Sequence, residues 1–306
     1  MQAAPDLCLA AAQQAAGGQQ YPAGCLYVVA TPVGNLADLS FRALHVLNLV
    51  DAVACEDTRV SAQLLRAYGL HKPLLAVHEH NEREAVEQLA GRLQAGERIA
   101  LISDAGTPAV SDPGARLVQG LRERGLRCIP IPGASSALAA LSVAGDAQAS
   151  GFDFIGFLPP KGEARKSALQ RLAGKARTQI LFEAPHRVQQ FVAELAEAAP
   201  SQLLTMAREL TKQFEQIETL AASDWPARLE QLGADGAARG EFVWLLHAAP
   251  VAAEEGIGEA AERLLAALLP LLPTKQAVAL AAEHGGAARN AVYARALALK
   301  RDDAAG

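Results

Sequence analysis

A chain of 306 residues is more than one ordinary core fills, and it suits two domains. Apolar residues make up 51% and charged residues 20%, a balance that excludes intrinsic disorder. A net charge of −5 excludes a protein that coats nucleic acid by bulk charge, while leaving room for a local basic patch.

Residues 1–24 are rich in Ala, Gln and Gly and carry no Lys or Arg. They lack the basic start and sustained apolar core of a signal peptide, so they are expected to be a disordered extension. Cysteines stand at 8, 25, 55 and 128, with no metal-ligand spacing and no disulfide framework. They read as reduced thiols of a cytoplasmic protein with no metal site.

The first strand is predicted over Cys25–Ala30 and is broken by Thr31-Pro32-Val33-Gly34-Asn35. Ser40 is placed to cap a helix over Phe41–Leu49. A second strand, Ala52–Cys55, ends at Glu56-Asp57-Thr58-Arg59, and a helix follows to Tyr68. A third, Leu74–Val77, ends at His78-Glu79-His80-Asn81. Asn81 and Glu84 have the spacing of a capping box, and Val86, Leu89, Ala90 and Leu93 form the buried stripe of the next helix.

Ile99–Gly114 is the pivot: an apolar strand, then a loop from Ser103 with Gly106, Pro108 and Gly114. Asp112-Pro113 signals entry into a helix that runs to Arg124. Cys128–Ile131 is a further strand, broken by Pro132-Gly133-Ala134-Ser135-Ser136, and Ala137–Leu141 begins another helix. Alternating strands and helices mean an α/β domain with a mainly parallel sheet. The polar clusters Pro32–Asn35, Glu56–Arg59, His78–Asn81, Asp104–Asp112 and Pro132–Ser136 all follow strands, so they gather along one sheet edge, where such folds bind ligands. No Gly-x-Gly-x-x-Gly follows the first strand and no phosphate-loop signature exists. The loops suit a cationic or zwitterionic ligand better than a polyphosphate.

Gly145–Gly151 is the linker to a second domain. Phe152–Leu158 is a strand, followed by a segment in which Lys161, Arg165, Lys166, Arg171, Lys175 and Arg177 face a single acid, Glu163. That segment is either the solvated face of a helix or an RNA-backbone patch. Strands follow over Thr178–Phe182, Leu203–Ala207, Phe214–Leu220 and Glu241–His247. One helix starts at Pro185, with Val188, Phe191, Val192 and Leu195 buried. This half is expected to be α+β with a mixed sheet. Leu264–Leu272, broken by Pro270, is too short to span a bilayer, so the protein is expected to be soluble. Thr274 is placed to cap Lys275–Glu283, Gly285-Gly286 turns the chain, and Arg289–Leu299 is helical. The pair has the outline of a helix-turn-helix, or of plain helix packing.

Leu26–Asn35 (LYVVATPVGN), Glu56–Arg59 (EDTR), Ser103–Gly114 (SDAGTPAVSDPG), Gly156–Pro159 (GFLP), Glu183–Arg187 (EAPHR), Ala207–Lys212 (ARELTK) and Gly240–Val243 (GEFV) occur in that order. Over about residues 25–300 the ordered set resembles the ribosomal RNA small subunit methyltransferase I family, a branch of the tetrapyrrole methylase superfamily. The resemblance implies a two-domain tetrapyrrole-methylase-like fold (class III methyltransferase): an N-terminal α/β domain over 25–147, an α+β domain over 148–250 and a helical region over 251–306. It implies S-adenosylmethionine as donor, a cytidine ribose 2′-hydroxyl of 16S rRNA in the decoding region as acceptor, and a homodimer.

By that resemblance Asp104, Gly106, Thr107, Pro108 and Val110 line the methionine end of the donor, with Ser135 and Ser136 nearby. Phe157, Ala207, Arg208, Glu241, Phe242 and Val243 form the wall around the adenosine. Phe182 and Ala184 stand where the family carries a tyrosine and a serine, so two hydroxyls are absent. Residues 285–290 are more Ala-rich than the family pattern. A ribose hydroxyl must lose its proton as it attacks, and the candidate bases are Glu56, Asp57, His80 and Glu183. Arg59, Arg187 and Lys212 are placed to hold phosphate or to ease that deprotonation, and Lys161, Arg165 and Lys166 to contact the RNA backbone. Asp57 also reads as a helix cap, and Arg59 as its ion-pair partner.

The rival within the superfamily is methylation of a corrin or porphyrin precursor, against which the EAPHR and ARELTK stretches and the basic segment argue. A DNA-binding regulator acting through 274–299 leaves the strand-exit loops unexplained. A nucleotide-dependent oxidoreductase lacks its fingerprint.

Overall fold

The computed structural model describes residues 5–78, 81–111, 114–234, 240–249 and 257–305. The chain divides into two compact units, Met1–Ala248 and Ala249–Gly306.

The first unit opens with a helix, α1 (Pro5–Ala16), where the composition suggested disorder. Its Ala12 and Ala16 are buried, and Ala12 joins a cluster with Ala43 and Leu44 of the next helix. Alanine carries the highest helix propensity, and its small side chain lets two helices approach closely, so an Ala-rich segment with no bulky stripe still folds. The Tyr21 hydroxyl donates to the Ala16 carbonyl and closes the helix end.

Then come β1 (Cys25–Val29), α2 (Phe41–Leu49), β2 (Ala52–Cys55), α3 (Thr58–Ala67), β3 (Leu74–Ala76), α4 (Glu82–Gln94), β4 (Ile99–Leu101), α5 (Ala115–Glu123), β5 (Arg127–Ile131) and α6 (Ser136–Ala144). The five strands form one sheet in the order β3-β2-β4-β1-β5. Every pairing is parallel. The period of two sorts β1: Cys25, Tyr27 and Val29 pack with residues of α1, α2 and α3, while Leu26 packs with those of α4 and α5. Both faces are covered, which is why the strands read as near-continuous apolar runs.

The helix ends follow the sequence reading in part. Ser40 caps α2 by accepting from the Ala43 N–H, and Ser135 caps α6 by accepting from the Leu138 N–H. Asn81 makes no cap bond to α4. Its amide instead closes the turn before it, accepting from the His78 N–H and donating to the Ala76 carbonyl. Asp112-Pro113, the helix-entry signal, lies outside the described residues. At the start of α5 the Glu82 carboxylate, from α4, accepts from the Gly114 N–H at 2.9 Å.

The second sheet is built from β6 (Phe152–Phe157), β7 (Thr178–Glu183), β8 (Leu203–Arg208), β9 (Gln216–Ala221) and β10 (Phe242–Leu246), in the order β6-β7-β10-β8-β9. Only β6 and β7 are parallel, so the sheet is mixed as expected. Helices α7 (Gly162–Leu172), α8 (Val188–Ala198) and α9 (Trp225–Ala234) supply its larger core, centred on Phe191, Trp225 and Trp244. The opposite face is covered by α6, through Ala137, Ala140 and Ala144 against Ile180, Ala207, Val243 and Leu245. A helix that leaves the first sheet thus covers the second, and its first turn lies where the two sheets meet.

The second unit is α10 (Glu259–Leu268), α11 (Thr274–Gly285) and α12 (Arg289–Ala305), with its own core of Leu265, Ala277, Val278, Ala281, Val292 and Ala296. Thr274 is the first helical residue of α11 rather than its cap, a place taken by Pro273. Among the described residues no helix is long and apolar enough to cross a membrane.

Candidate active site

The loops that leave the five parallel strands are stitched together by hydrogen bonds. Thr31 and Gly106 form an isolated antiparallel bridge, with N–H to carbonyl distances of 2.8 and 3.0 Å. The Thr31 hydroxyl donates to the Ser103 carbonyl, and the Thr107 hydroxyl donates to the Ala134 carbonyl at 3.1 Å. The Asp57 N–H donates to Asp104 Oδ1 at 3.2 Å. Residues after β1, β2, β4 and β5 therefore share one rim.

The facing loops of the second sheet close on this rim. Gly156 has φ of +69°, and a Cβ there would stand 2.9 Å from Ser111 Oγ. A Cβ at Gly34 would stand 2.6 Å from Lys212 Cγ, so the loop after β1 lies against the one after β8. Among the described residues the non-glycine positions with positive φ are Ala109, Ser111, Glu209 and Thr211. The first two sit in the loop after β4 and the last two in the loop after β8; backbone strain of this kind persists where the surrounding structure imposes it, and it clusters at ligand sites.

Between them lies a cavity of about 410 Å3, within the range of small-molecule sites. Val33, Ala105, Ser111 and Ser136 line it from one side, and Phe157, Phe182, Glu183, Ala207 and Glu241–Val243 from the other. The second wall is one row of the sheet. Phe157 pairs with Phe182, Phe182 with Val243 and Val243 with Ala207, so their side chains share a face. The Phe157 and Phe182 rings meet edge to face at 5.6 Å.

Of the residues expected around a donor, Ser136, Phe157, Ala207, Glu241, Phe242 and Val243 line this cavity. Asp104, Gly106, Thr107, Pro108 and Val110 belong to the loop whose Ala105 and Ser111 line it, and Ser135 caps α6 beside it. Arg208 is not a lining residue; its guanidinium donates to Gln216 Oε1. Sequence reasoning missed Val33, Ala105, Ser111, Phe182, Ala184, Pro185 and Leu210, which also line it. Each lies inside or beside a motif already singled out, but a small or apolar side chain gives no chemical signal of its own.

The candidate bases differ sharply. Glu56 is exposed, yet partial burial and the charges of Asp104 and Asp57 push its carboxyl up. Asp57 caps α3 through the Arg59 N–H, and hydrogen bonds from the Arg59 side chain hold it at about 2. The exposed Arg59 guanidinium meets Asp57 at 2.7 Å. Both readings of that pair, cap and ion pair, hold in the structure. His80 lies outside the described residues.

Glu183 lines the cavity with both of its oxygens engaged. Oε2 accepts from Arg165 at 3.2 Å, while Oε1 accepts from the Ala184 N–H at 2.9 Å and lies 3.1 Å from Arg187 Nε. Arg165 corrects the reading of the basic segment. It is buried, bonded to Glu183 and Glu194, and cannot reach an RNA backbone. Lys161 and Lys166 on the same stretch are exposed, the latter paired with Glu163. Lys212 bridges Glu209 at 3.0 Å and Glu241 at 3.2 Å; desolvation opposes its charge, but these partners raise its affinity for the proton.

Residues 25–226 match the family of tetrapyrrole (corrin/porphyrin) methylases. The chain is 46% identical, over 90% of its length and 94% of the relative's, to ribosomal RNA small subunit methyltransferase I of Neisseria meningitidis serogroup B. It is 47% identical, over 90% and 97%, to the protein of that name from Pseudomonas aeruginosa. The chain belongs to the ribosomal RNA small subunit methyltransferase I family.

Residues 255–300 match the RsmI C-terminal HTH domain, so the outline read over 274–299 is a family feature. The fold is shared with uroporphyrin-III C-methyltransferase of Thermus thermophilus, solved with S-adenosylhomocysteine, at a TM-score of 0.52 and 17% identity over 73% of this chain and 97% of that one. Phe182 supplies an aromatic wall and carries no hydroxyl, so its contribution is packing.

Proposed function

We propose that this chain transfers the methyl group of S-adenosylmethionine to the 2′-hydroxyl of a cytidine in the decoding region of 16S rRNA. The observation that carries the reading is the cavity itself. It is mostly apolar, it is rimmed by polar strand-exit loops, and it lies at the carboxyl edge of a parallel sheet without a phosphate loop. It fits a donor with a flat aromatic end and a zwitterionic end. In this reading Phe157, Ala207, Phe242 and Val243 face the adenosine, and residues 104–111 with Ser135 and Ser136 face the methionine end. Residues 25–147 then supply the polar loops, 148–250 the opposite wall and 251–306 an appendage.

When bound, the donor supplies an electrophilic methyl group on a sulfonium. The chain's task is to align the ribose oxygen with it and to take the proton. Alignment is worth about 7–11 kcal/mol at the ideal limit, and a placed base about 10²–10⁴ in rate. Glu56 is the base this reading favours: its raised proton affinity brings it toward the useful range, whereas Asp57 is held too acidic and Glu183 is engaged by two arginines. As the oxygen–methyl bond forms, the hydroxyl proton passes to the Glu56 carboxylate and the methyl–sulfur bond breaks. Arg59, exposed beside this cluster, faces an RNA phosphate, with Lys161, Lys166, Arg187 and Lys212 as further contacts. The active form is a homodimer in the cytoplasm.

Incubation with labelled donor and either small ribosomal subunits or a precorrin tests the reading. Label in the RNA supports it, and label in the precorrin alone overturns it.

A further inference from the structure

Buried charges lie beneath the cavity wall. Arg165 sits in the interior, its side chain 3% exposed, and donates in three directions. Nε meets Glu194 Oε2 at 2.7 Å, Nη1 meets the Pro159 carbonyl at 3.1 Å, and both terminal nitrogens meet Glu183 Oε2 at 3.2 Å. On the other oxygen of Glu183 lies Arg187, whose Nη2 reaches the Leu158 carbonyl at 3.4 Å. The two carbonyls after β6 are thus each tied, through an arginine, to the carboxylate that ends β7.

This tether matters because β6 is an edge strand with one neighbour and a register shift between Phe154 and Gly156. Past Phe157 the ladder ends: Leu158 packs into the core, but among the described residues no strand pairing holds residues 158–160. Phe157 lies on one side of that seam, and Glu183, Ala184 and Pro185 on the other, and all of them line the cavity. Burying such a network is costly, and apolar side chains of similar size often serve a fold as well. What they lack is direction. The planar fork of arginine presents donors in fixed directions, which a lysine or a hydrocarbon does not.

We propose that Arg165 is a positioning residue for the donor: through the Pro159 carbonyl and Glu183 it sets the gap between the Phe157 wall and residues 183–185. The proposal rests on the reading of the cavity as the donor pocket.

The test is calorimetric binding of S-adenosylhomocysteine beside thermal melting of the full chain. Arg165→Met alone takes one of two arginine partners from the buried Glu183 carboxylate, so it is paired with Glu183→Gln, which removes that charge and keeps the shape. The double variant is expected to melt close to wild type yet bind at least about tenfold more weakly, since a displaced contact of about 1 Å is felt at that level or above. Glu194→Gln, which loosens the Arg165 contact that lies off the cavity lining, is expected to bind within about threefold of wild type, well short of the double variant's loss. Wild-type affinity in the double variant overturns the proposal, as does an equal loss in Glu194→Gln. If the double variant melts early, Arg165→Lys decides: about tenfold weaker binding at an unchanged midpoint supports the proposal, and unchanged binding overturns it. A wild-type chain that takes no S-adenosylhomocysteine overturns the donor reading, and the proposal with it.

Discussion

At the scale of single residues, environment separates carboxylates that the sequence presents as equals. Glu56, Asp57 and Glu183 each end or follow a strand, and each is a legitimate base on paper. Asp57 is spent on Arg59, Glu183 on two arginines, and Glu56 is pushed toward protonation. Because the shift of Glu56 is upward, its base form appears only as pH rises through the raised value. Turnover is therefore expected to climb with pH there, and Glu56→Gln to remove both the climb and the transfer. Asp57→Asn withdraws one of the charges that raise Glu56, so the inflection is expected at lower pH. A pH–rate profile of the two variants against wild type checks both statements; normal turnover in Glu56→Gln removes this carboxylate from the mechanism.

A second titrating group affects the fold instead. His247 is buried, with Nε2 at 2.7 Å from the Thr205 hydroxyl and Nδ1 at 4.0 Å from Asp146. Burial lowers its proton affinity, and Asp146 only partly opposes this. The unfolded chain thus takes up this proton first as pH falls below the ordinary value of 6.5, and the stability held by neutral His247 is lost toward the lower folded value. Melting midpoints between about pH 7 and about pH 5 are expected to fall less steeply in His247→Gln than in wild type.

At the scale of elements, most strands were legible as short apolar runs stopped by a polar cluster, and β9 by its alternation. The helices were legible where they carry a bulky stripe, as in Leu89 and Leu93 of α4 or Phe191 and Leu195 of α8. Helix α1 was not, because its buried face is alanine, and only the partner helix reveals that face as a contact. Nor was the fate of Arg165: charge pattern puts it on a solvated helix face, and only the packing of α7 on α8 and β7 shows that it points inward. Side-chain polarity marks where chemistry is possible; direction comes from tertiary structure. Two substitutions test the element-level account. Ser135→Ala is expected to cost about 1 kcal/mol of stability by removing the cap of α6. Gly156→Ala meets both a positive φ and Ser111 Oγ at 2.9 Å, so it is expected to weaken donor binding more than it lowers the melting midpoint. Equal donor affinity in Gly156→Ala contradicts the contact between β6 and the loop after β4.

At the scale of the whole molecule, the division at Ala248 sets apart the parts that this account assigns to the donor. Both sheets, the cavity and every loop that lines it fall in Met1–Ala248, while the three terminal helices keep a core of their own. A chain ending at Ala248 is therefore expected to bind S-adenosylhomocysteine as the full chain does, checked by calorimetry on both. The measurement that bears most directly on the central claim is a crystal structure with S-adenosylhomocysteine bound. The account predicts the adenosine against Phe157, Ala207 and Val243, and the amino-acid end against residues 104–111 and Ser136. Density for the ligand anywhere else on the chain, with this cavity left to solvent, contradicts it.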